Sequence, residues 1–291
     1  MCILSHHHVI GYVHVLMVIL LVSRSHAAAK LWNEQNNMIS NETAIYYSEG
    51  VRMGIINPEK YSLQSFEQHE REMFKDTYRD FISLNGTQAI SYQEWLILNN
   101  YGILYDTQES VLEKKTSTRS TVNKDLFVKN IQKGDILITT KFNNGFIGHV
   151  AIMATDDHAI ELPGGLTWML GIADNNRVIS KDAWFNDYGS GWTTVYRCPD
   201  KAVADSAAEW AYLHYYNPLG LAEKTIHTLY RLNFDFESTN PSYCSKLVLQ
   251  AFVFSNRPII HKLHRYGFVI PPIQVPGYFE PPYKLKIVGK F

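Results

Sequence analysis

Cys244 lies where a helix is predicted to begin, and this position favours a reactive thiol. Asn240 can cap a helix and Pro241 suits its first position, so the thiol falls in the opening turn. Unpaired backbone N–H groups and the positive end of the helix dipole favour an anion there. The thiolate is the reactive form of cysteine, and the same amide groups can stabilise an oxyanion beside the sulfur. The position therefore indicates a candidate nucleophile.

Two other interpretations of Cys244 remain open at this stage. The residue falls on an apolar face of the predicted helix, which also carries Leu247, Val248 and Ala251. A free cysteine on such a face is commonly a small buried hydrophobe. The chain has three cysteines, and once the first of them leaves with an N-terminal leader, Cys198 and Cys244 remain. An exported protein can pair two such cysteines, and a disulfide would consume the nucleophile.

A thiol nucleophile needs a base, and two candidate partners stand on neighbouring predicted strands. His149 opens one strand, and Glu161 lies in the strand that returns after the next turn. An imidazole takes the thiol proton, and a carboxylate fixes its tautomer and stabilises its cation. Taken singly, His149 also fits a strand-edge histidine bonded to a carbonyl, and Glu161 fits a solvent-facing residue. Asp157 and His158 are a rival pair at a turn tip, where side chains are usually solvated.

The length of the turn between these strands decides whether the two side chains can meet. If residues 155–157 form a three-residue turn, Ala151 faces Glu161 and His149 lies diagonal to it on the same sheet face. Diagonal neighbours are about 7–8 Å apart at the backbone, within reach of long side chains. A two-residue turn at residues 156–157 would slip the register by one and turn Glu161 to the opposite face. The catalytic interpretation therefore predicts the longer turn.

These residues together fit the chemistry of a cysteine hydrolase. Cys244 is the expected nucleophile, His149 the general base and acid, and Glu161 the orienting group. Tyr243 and the backbone N–H of Cys244 are candidates for the oxyanion site, although Tyr243 fits a packing aromatic equally well. Asp135 follows a glycine and is expected to serve the turn before a strand, not the chemistry.

Four segments, taken in order, resemble the circularly permuted papain-fold hydrolases, in particular the YiiX/YaeF-like group related to the NlpC/P60 superfamily. The segments are KGDIL at 133–137, GHVAI at 148–152, IE at 160–161 and YCSKLV at 243–248. Ordinary papain-like enzymes place the cysteine helix before the histidine strand. Here the order is histidine, acid, cysteine, which matches the permuted branch. The resemblance covers roughly residues 126–291.

The resemblance implies a Cys–His–polar triad, which falls on Cys244, His149 and Glu161. It implies cleavage of an amide or peptide bond, proposed for cell-wall peptides or other amidated amino acids, with no metal and no cofactor. Two alternatives keep the same fold. One is an inactive secreted binding module, and the other is a thiol-dependent acyltransferase of the lipid-handling permuted branch.

The N-terminus has the pattern of a secretory signal peptide, which we assign to residues 1–29. An apolar run at 9–22 is followed by small residues spaced for cleavage, and it is short for a membrane span. The stretch before the run carries histidines but no Lys or Arg, so an uncleaved N-terminal anchor is the alternative. We therefore expect a secreted or cell-envelope protein, in contact with a membrane only if this segment is retained.

The remaining chain divides into a helical region and a region of strands. Residues 30–125 are predicted to be mostly helical, with a helix over 67–82 and a capping box at Ser91. Residues 126–291 alternate short apolar strands with helices, and residues 114–121 between the regions fit a linker or exposed loop. The predicted fold class is therefore α+β, a permuted papain-like domain with an antiparallel sheet, preceded by a helical segment.

Composition limits the possible partners. The chain has 291 residues and is 46% apolar, which is enough for a large core. Its formal net charge of −1 argues against nucleic acid as the main partner. We expect a peptide or amide substrate, with cell-envelope material as the candidate source, and no nucleic acid.

Overall fold

The computed structural model describes residues 40–83, 90–104, 107–112, 121–140, 146–165, 167–189, 191–255 and 269–291. The chain divides into two compact units, Met1–Tyr46 and Tyr47–Phe291. In the first unit the described residues, 40–46, include the beginning of helix α1. The predicted leader at residues 1–29 lies outside the described residues. No helix in the described part is long and apolar enough to cross a membrane.

The first part of the chain is helical, as predicted. Its helices are α1 (Asn41–Arg52), α2 (Leu63–His69), α3 (Lys75–Ile82), α4 (Tyr92–Leu98) and α5 (Thr121–Asn130). A π-helical turn at Glu70–Phe74 joins α2 to α3, so the predicted helix over 67–82 is confirmed with a local widening that periodicity did not indicate. A 3-10 turn, Asn100–Gly102, follows α4.

The predicted capping box is present at the start of α4. The Ser91 side chain accepts from the Glu94 N–H at 3.2 Å, and the Glu94 carboxylate accepts from the Ser91 N–H at 2.7 Å. Two N-terminal donors of the helix are thereby satisfied. The predicted linker at 114–121 lies outside the described residues except for Thr121, which begins α5.

One antiparallel sheet of six strands forms the centre of the second unit, which confirms the α+β class. The strands are β1 (Ile136–Thr139), β2 (His149–Met153), β3 (His158–Glu161), β4 (Arg177–Ser180), β5 (Thr193–Arg197) and β6 (Lys286–Lys290), in the spatial order β4-β3-β2-β1-β5-β6.

Three further α-helices accompany the sheet in the described residues. They are α6 (Lys181–Tyr188), α7 (Lys201–Tyr215) and α8 (Cys244–Phe254), with 3-10 turns at Trp168–Leu170 and Pro272–Tyr278. Helix α8 packs against both α7 and β2, and α6 packs against α5, β3 and β4. Strand β4 and helix α6 were not predicted. The residues of β4 are only half-buried, so its apolar signal is weak.

Burial on one face of the sheet explains why these segments form strands. Leu137, Ala151, Met153, Ala159 and Val195 alternate along four strands and share one buried cluster. Aromatic side chains of α5 and α6 complete this cluster, namely Phe127, Trp184, Phe185 and Tyr188. The side-chain period of two places every second residue of these strands in the core.

The helical region packs directly on the strand that carries His149. Asn99, which is fully buried, accepts a hydrogen bond from the Ile147 N–H at 3.1 Å. The ring of Phe81 packs on Phe146 with 5.5 Å between ring centroids. Gln274 also donates to the carbonyl of Leu98 at 2.9 Å. Residues 47–112 therefore share one packed unit with the sheet, while the predicted boundary between 125 and 126 stays a prediction.

Candidate active site

Cys244 is the first residue of α8, as the sequence-based analysis required. The predicted cap is wrong in detail, because the helix begins at Cys244 with Tyr243 as its N-cap, three residues later than a start at Pro241. Asn240 instead joins another segment, where its side-chain oxygen accepts from the Leu229 N–H at 3.0 Å. The thiol thus sits at the helix end where unpaired N–H groups and the dipole favour an anion.

Buried polar contacts hold the turn that leads into Cys244. The Tyr215 hydroxyl lies 2.7 Å from the Ser242 hydroxyl and also donates to the side chain of Gln250. These three residues belong to α7, the turn and α8, and all are buried. The network fixes the start of α8 against both helices, which limits movement of the thiol.

Cys198 and Cys244 are both free thiols, and both are buried. The alternative of a disulfide between them is therefore wrong for this structure. Burial raises the pKa of Cys198, and a buried thiol of this kind is expected to be inert.

The turn between β2 and β3 has the length that the catalytic interpretation predicted. Ile152 pairs with Ile160 and Met153 with Ala159, and the Ala154 N–H donates to the carbonyl of His158. This is the register of the three-residue turn. It places His149 and Glu161 diagonally on one face of the sheet.

Gly148 fixes the backbone just before His149. Its φ is +86°, a left-handed conformation that side-chain-bearing residues rarely adopt. A Cβ atom at this position would lie 2.9 Å from the Thr139 carbonyl oxygen of the adjacent strand. The glycine therefore permits the close approach that starts β2 at the histidine.

His149 and Glu161 form a short, buried hydrogen bond. Nε2 of His149 lies 2.6 Å from Oε2 of Glu161, with the two side chains 3% and 0% exposed. The ring of His149 also stacks against Tyr188 and Trp184, with centroid separations of 5.3 Å and 5.8 Å. Hydrogen bond and stacking together fix the plane of the imidazole and point its other nitrogen, Nδ1, away from Glu161.

The carboxylate of Glu161 has two more partners that the sequence-based analysis missed. Arg177 donates through Nε to Oε1 at 2.7 Å, and the Tyr188 hydroxyl donates to Oε2 at 2.8 Å. Burial alone would raise the pKa of Glu161, but His149, Arg177 and Tyr188 outweigh it and hold the pKa below its ordinary value. Glu161 is therefore a charged group inside the protein, held by three donors.

The Cys244 thiol is the second group that acts on the His149 ring. Burial opposes a charge on the imidazole, but the thiol and the Glu161 carboxylate outweigh this effect and raise the pKa of His149 to about 9. Nδ1 of the ring has no other hydrogen-bond partner among the described residues. With Nε2 held by Glu161, Nδ1 is the nitrogen left to exchange a proton with the sulfur.

A comparison with known protein families identifies a family for this chain. Residues 90–291, more than half of the chain, match the family described as "Lipoprotein N-acylation protein LnsA-like". The chain belongs to this LnsA-like family. The family has a papain-like fold, so the papain-like part of the predicted resemblance is confirmed.

Two further comparisons complete this result. An uncharacterized 30.3 kDa protein of Bacillus thuringiensis is 29% identical over 214 residues, which cover 72% of this chain and 75% of that protein. No solved structure matches the chain. The family match begins at residue 90, so it includes α4 and α5 as well as the sheet.

Tyr230 is a further residue at the thiol that the sequence did not reveal. Its side chain is fully buried, and its hydroxyl has no hydrogen-bond partner of normal geometry in the described part of the chain. Burial raises the pKa of Tyr230 far above its usual value, and the neighbouring Cys244 adds to the effect. The hydroxyl therefore stays protonated beside the sulfur and is available as a donor.

Tyr243 makes a structural contact next to the thiol. Its ring is buried, and its hydroxyl accepts a hydrogen bond from the Ile270 N–H at 3.2 Å. Burial raises the pKa of Tyr243 well above its ordinary value, so the hydroxyl stays protonated throughout the physiological range. A role for Tyr243 in the oxyanion site stays a prediction.

The other polar candidates have positions away from the chemistry. Asp157 and His158 lie exposed at the turn tip. Asp135 serves its turn, as expected, because it accepts from the Gln132 N–H at 3.0 Å and pairs with Arg197 at 2.7 Å. No cluster of His, Cys, Asp and Glu suited to a metal ion occurs within the described ranges.

Tyr188, Arg177 and Tyr230 all come from the long segment between Glu161 and Cys244. No local pattern marks them, because each reaches the site only through tertiary packing. Arg177 does have one indirect signal. It opens a strand that pairs directly with Glu161, so a prediction of β4 would have placed a cation opposite the carboxylate.

Proposed function

We propose that this protein is a thiol-dependent acyl-transfer enzyme with Cys244 as nucleophile, His149 as general base and acid, and Glu161 as the orienting group. The observation that carries the proposal is the buried Glu161–His149 pair, whose ring also interacts with the Cys244 thiol. Burying a carboxylate and an imidazole without partners would lower the stability of the fold, so their pairing indicates a built site. The same pairing suits proton transfer to and from the sulfur.

The first half of the reaction forms a thioester. His149 holds the thiol proton, and the thiolate of Cys244 attacks the carbonyl carbon of an acyl donor, an ester or an amide. The bond from that carbon to the leaving oxygen or nitrogen then breaks. The imidazolium returns its proton to the leaving group, and the acyl group remains on sulfur.

The second half of the reaction decides between transfer and hydrolysis. An acceptor attacks the thioester, His149 takes its proton, and the thiolate is restored. An amine acceptor yields an N-acyl product, and water yields an acid. The family description, lipoprotein N-acylation, favours an amine acceptor and a place at the cell envelope. Hydrolysis of an amide or peptide bond, and the YiiX-like assignment behind it, is the second candidate.

Two groups near the sulfur can donate to the tetrahedral intermediate. The backbone N–H of Cys244 belongs to the open end of α8, and the Tyr230 hydroxyl is protonated and buried beside the thiol. We assign the oxyanion site to these two groups, because preorganised donors in a dry site stabilise developing charge most effectively. Tyr243, one residue before the nucleophile, links this end of the helix to Ile270 through its hydroxyl.

The direct test compares the two buried thiols. Cys244→Ser should abolish acyl transfer and labelling by iodoacetamide at neutral pH, while Cys198→Ser should leave both within about twofold of the parent. Circular dichroism spectra of both variants should match the parent. Retained activity in Cys244→Ser would refute the assignment, and an inert parent thiol would favour the inactive binding module.

Product analysis separates the two catalytic candidates. The parent protein is given an acyl donor together with an amine-bearing lipopeptide, and the products are separated by mass spectrometry. Formation of N-acyl lipopeptide supports transfer. Free fatty acid or cleaved peptide alone, with the amine unmodified, would make the protein a hydrolase.

A further inference from the structure

A short 3-10 turn between β3 and β4 presents apolar side chains to solvent. Leu170 at its end is 86% exposed, and Met169 beside it is 39% exposed. Trp168, the first residue of the same turn, is buried. Large exposed apolar side chains in sequence are unusual on a soluble surface and mark interaction sites.

The loop that carries this turn is held rigidly. Gly164 and Asn175 close its base with two reciprocal hydrogen bonds, of 2.8 Å and 3.2 Å. Gly171, directly after Leu170, has a φ of +87°, and a Cβ atom there would lie 3.2 Å from Leu229. The described residues on both sides of the exposed leucine are therefore tied to other parts of the chain.

The same loop is continuous with the candidate active site. Ile172 and Tyr230 exchange backbone hydrogen bonds of 3.0 Å and 2.8 Å, and Tyr230 borders the Cys244 thiol. Leu170 thus lies two residues from a segment that forms one wall of the site.

The opposite side of the loop meets the end of α3. The Ser83 hydroxyl contacts the Met169 sulfur at 2.9 Å, and the neighbouring Ile82 is 44% exposed. Phe81, one residue earlier, packs on Phe146, which precedes the strand of His149. The contact between Ser83 and Met169 thus joins two exposed apolar segments, and their side chains Ile82, Met169 and Leu170 are here called the apolar rim.

We propose that the apolar rim inserts into the surface of a lipid bilayer and so brings the buried thiol to acyl chains held there. This inference rests on the proposed acyl-transfer function, because the acyl groups of lipids and lipoproteins reside in membranes. The side chains of Cys244 and His149 are only 3% exposed, so a substrate must enter from an adjacent surface.

Charge and size favour a bilayer over a protein partner. Arg231 is exposed and directly follows Tyr230, which is hydrogen-bonded to Ile172 of the same loop, so the segment paired with the loop carries a cation that can meet lipid phosphates. Specific protein interfaces bury roughly 800 Å² on each partner, whereas three side chains cover far less. Insertion of a few apolar groups with a neighbouring cation is sufficient for reversible attachment to an anionic membrane.

The test maps contact with lipid along the full chain. The protein is mixed with anionic vesicles that contain a diazirine-bearing phospholipid, irradiated and digested, and labelled peptides are identified by mass spectrometry. Label on residues 167–173 is expected, and it should fall at least fivefold in Leu170→Asp. The matched control is Leu126→Asp, which alters an exposed leucine of α5, away from the rim in sequence. This variant should retain the label on residues 167–173. Label confined to other peptides, such as the N-terminal apolar run, would overturn the proposal.

A second measurement separates this inference from the proposed function. Labelling needs no turnover, so Cys244→Ser should be labelled at the rim like the parent even though it is inactive. Leu170→Asp should keep iodoacetamide labelling of Cys244 and should keep its turnover of a soluble short-chain donor. Its turnover of a donor embedded in vesicles should fall at least tenfold. Equal loss on both donors would show that the variant damages the site, and it would contradict a docking role.

Discussion

At the residue scale, the central feature is a buried carboxylate that its neighbours keep ionised. Glu161 is fully buried, yet three donors hold it in the charged form. Its charge and the Cys244 thiol keep the pKa of His149 near 9 against the effect of burial. Removing any one of these groups should therefore alter the titration of the others, because they are coupled.

Glu161→Gln tests this coupling. A neutral amide removes one of the two groups that raise the pKa of His149, so that pKa should fall. The alkaline limb of the pH–rate profile, near pH 9 in the parent, should move to lower pH, and the maximal rate should drop by about 10²- to 10⁴-fold. An unchanged alkaline limb would mean that Glu161 does not control the imidazole.

Arg177→Gln tests the positioning of the carboxylate. The guanidinium lowers the pKa of Glu161, so its loss should raise that pKa and move the acid limb of the profile to higher pH. The rate at neutral pH should fall by about tenfold. Arg79→Gln is the control, since Arg79 is exposed and pairs with Asp76 on α3. Equal effects of the two substitutions would indicate a general charge effect.

At the element scale, α4 supports the strand of the histidine through one buried side chain. Asn99 donates to the carbonyl of Trp95 at 2.9 Å and accepts from the Ile147 N–H. Replacement by alanine leaves that buried N–H without a partner, which typically costs about 1–3 kcal/mol.

Asn99→Ala should therefore lower the free energy of unfolding by about 1–3 kcal/mol in urea titrations. Asn130→Ala is a matched control, because Asn130 makes the same side-chain bond to the carbonyl four residues earlier, Leu126, but on an exposed surface. It should cost less than about 0.5 kcal/mol. Equal losses would show that the bond to Ile147 contributes little.

The elements also show what sequence could and could not predict. The strands of His149 and Glu161 follow from apolar runs bounded by turn residues, and Cys244 was correctly placed in the first turn of a helix. The register between the two strands depended on a turn length that the sequence left open. Strand β4 was missed because its residues are half-buried and lack a clear period. Arg177 was missed with it. Tyr230 was missed because it belongs to no strand and is placed near the thiol only by isolated bridges to Ile172 and Ser242.

At the scale of the whole molecule, the helical region is part of the structure that presents the site. Its contacts through Asn99, Phe81 and Leu98 reach the residues just before β2 and the 3-10 turn at Pro272–Tyr278. A fragment of residues 126–291 should therefore lack a cooperative thermal transition and show no rapid labelling of Cys244. A fragment that folds and labels like the parent would instead support the boundary at 125/126.

The account depends most on the claim that Cys244 carries the acyl group. Intact-mass analysis of the parent protein, quenched in acid after brief mixing with an activated acyl donor, measures this directly. We predict an added acyl mass on the peptide that contains Cys244, removed by hydroxylamine and absent in His149→Ala. An unmodified Cys244 during active turnover, or an acyl group found on Cys198, would contradict the account.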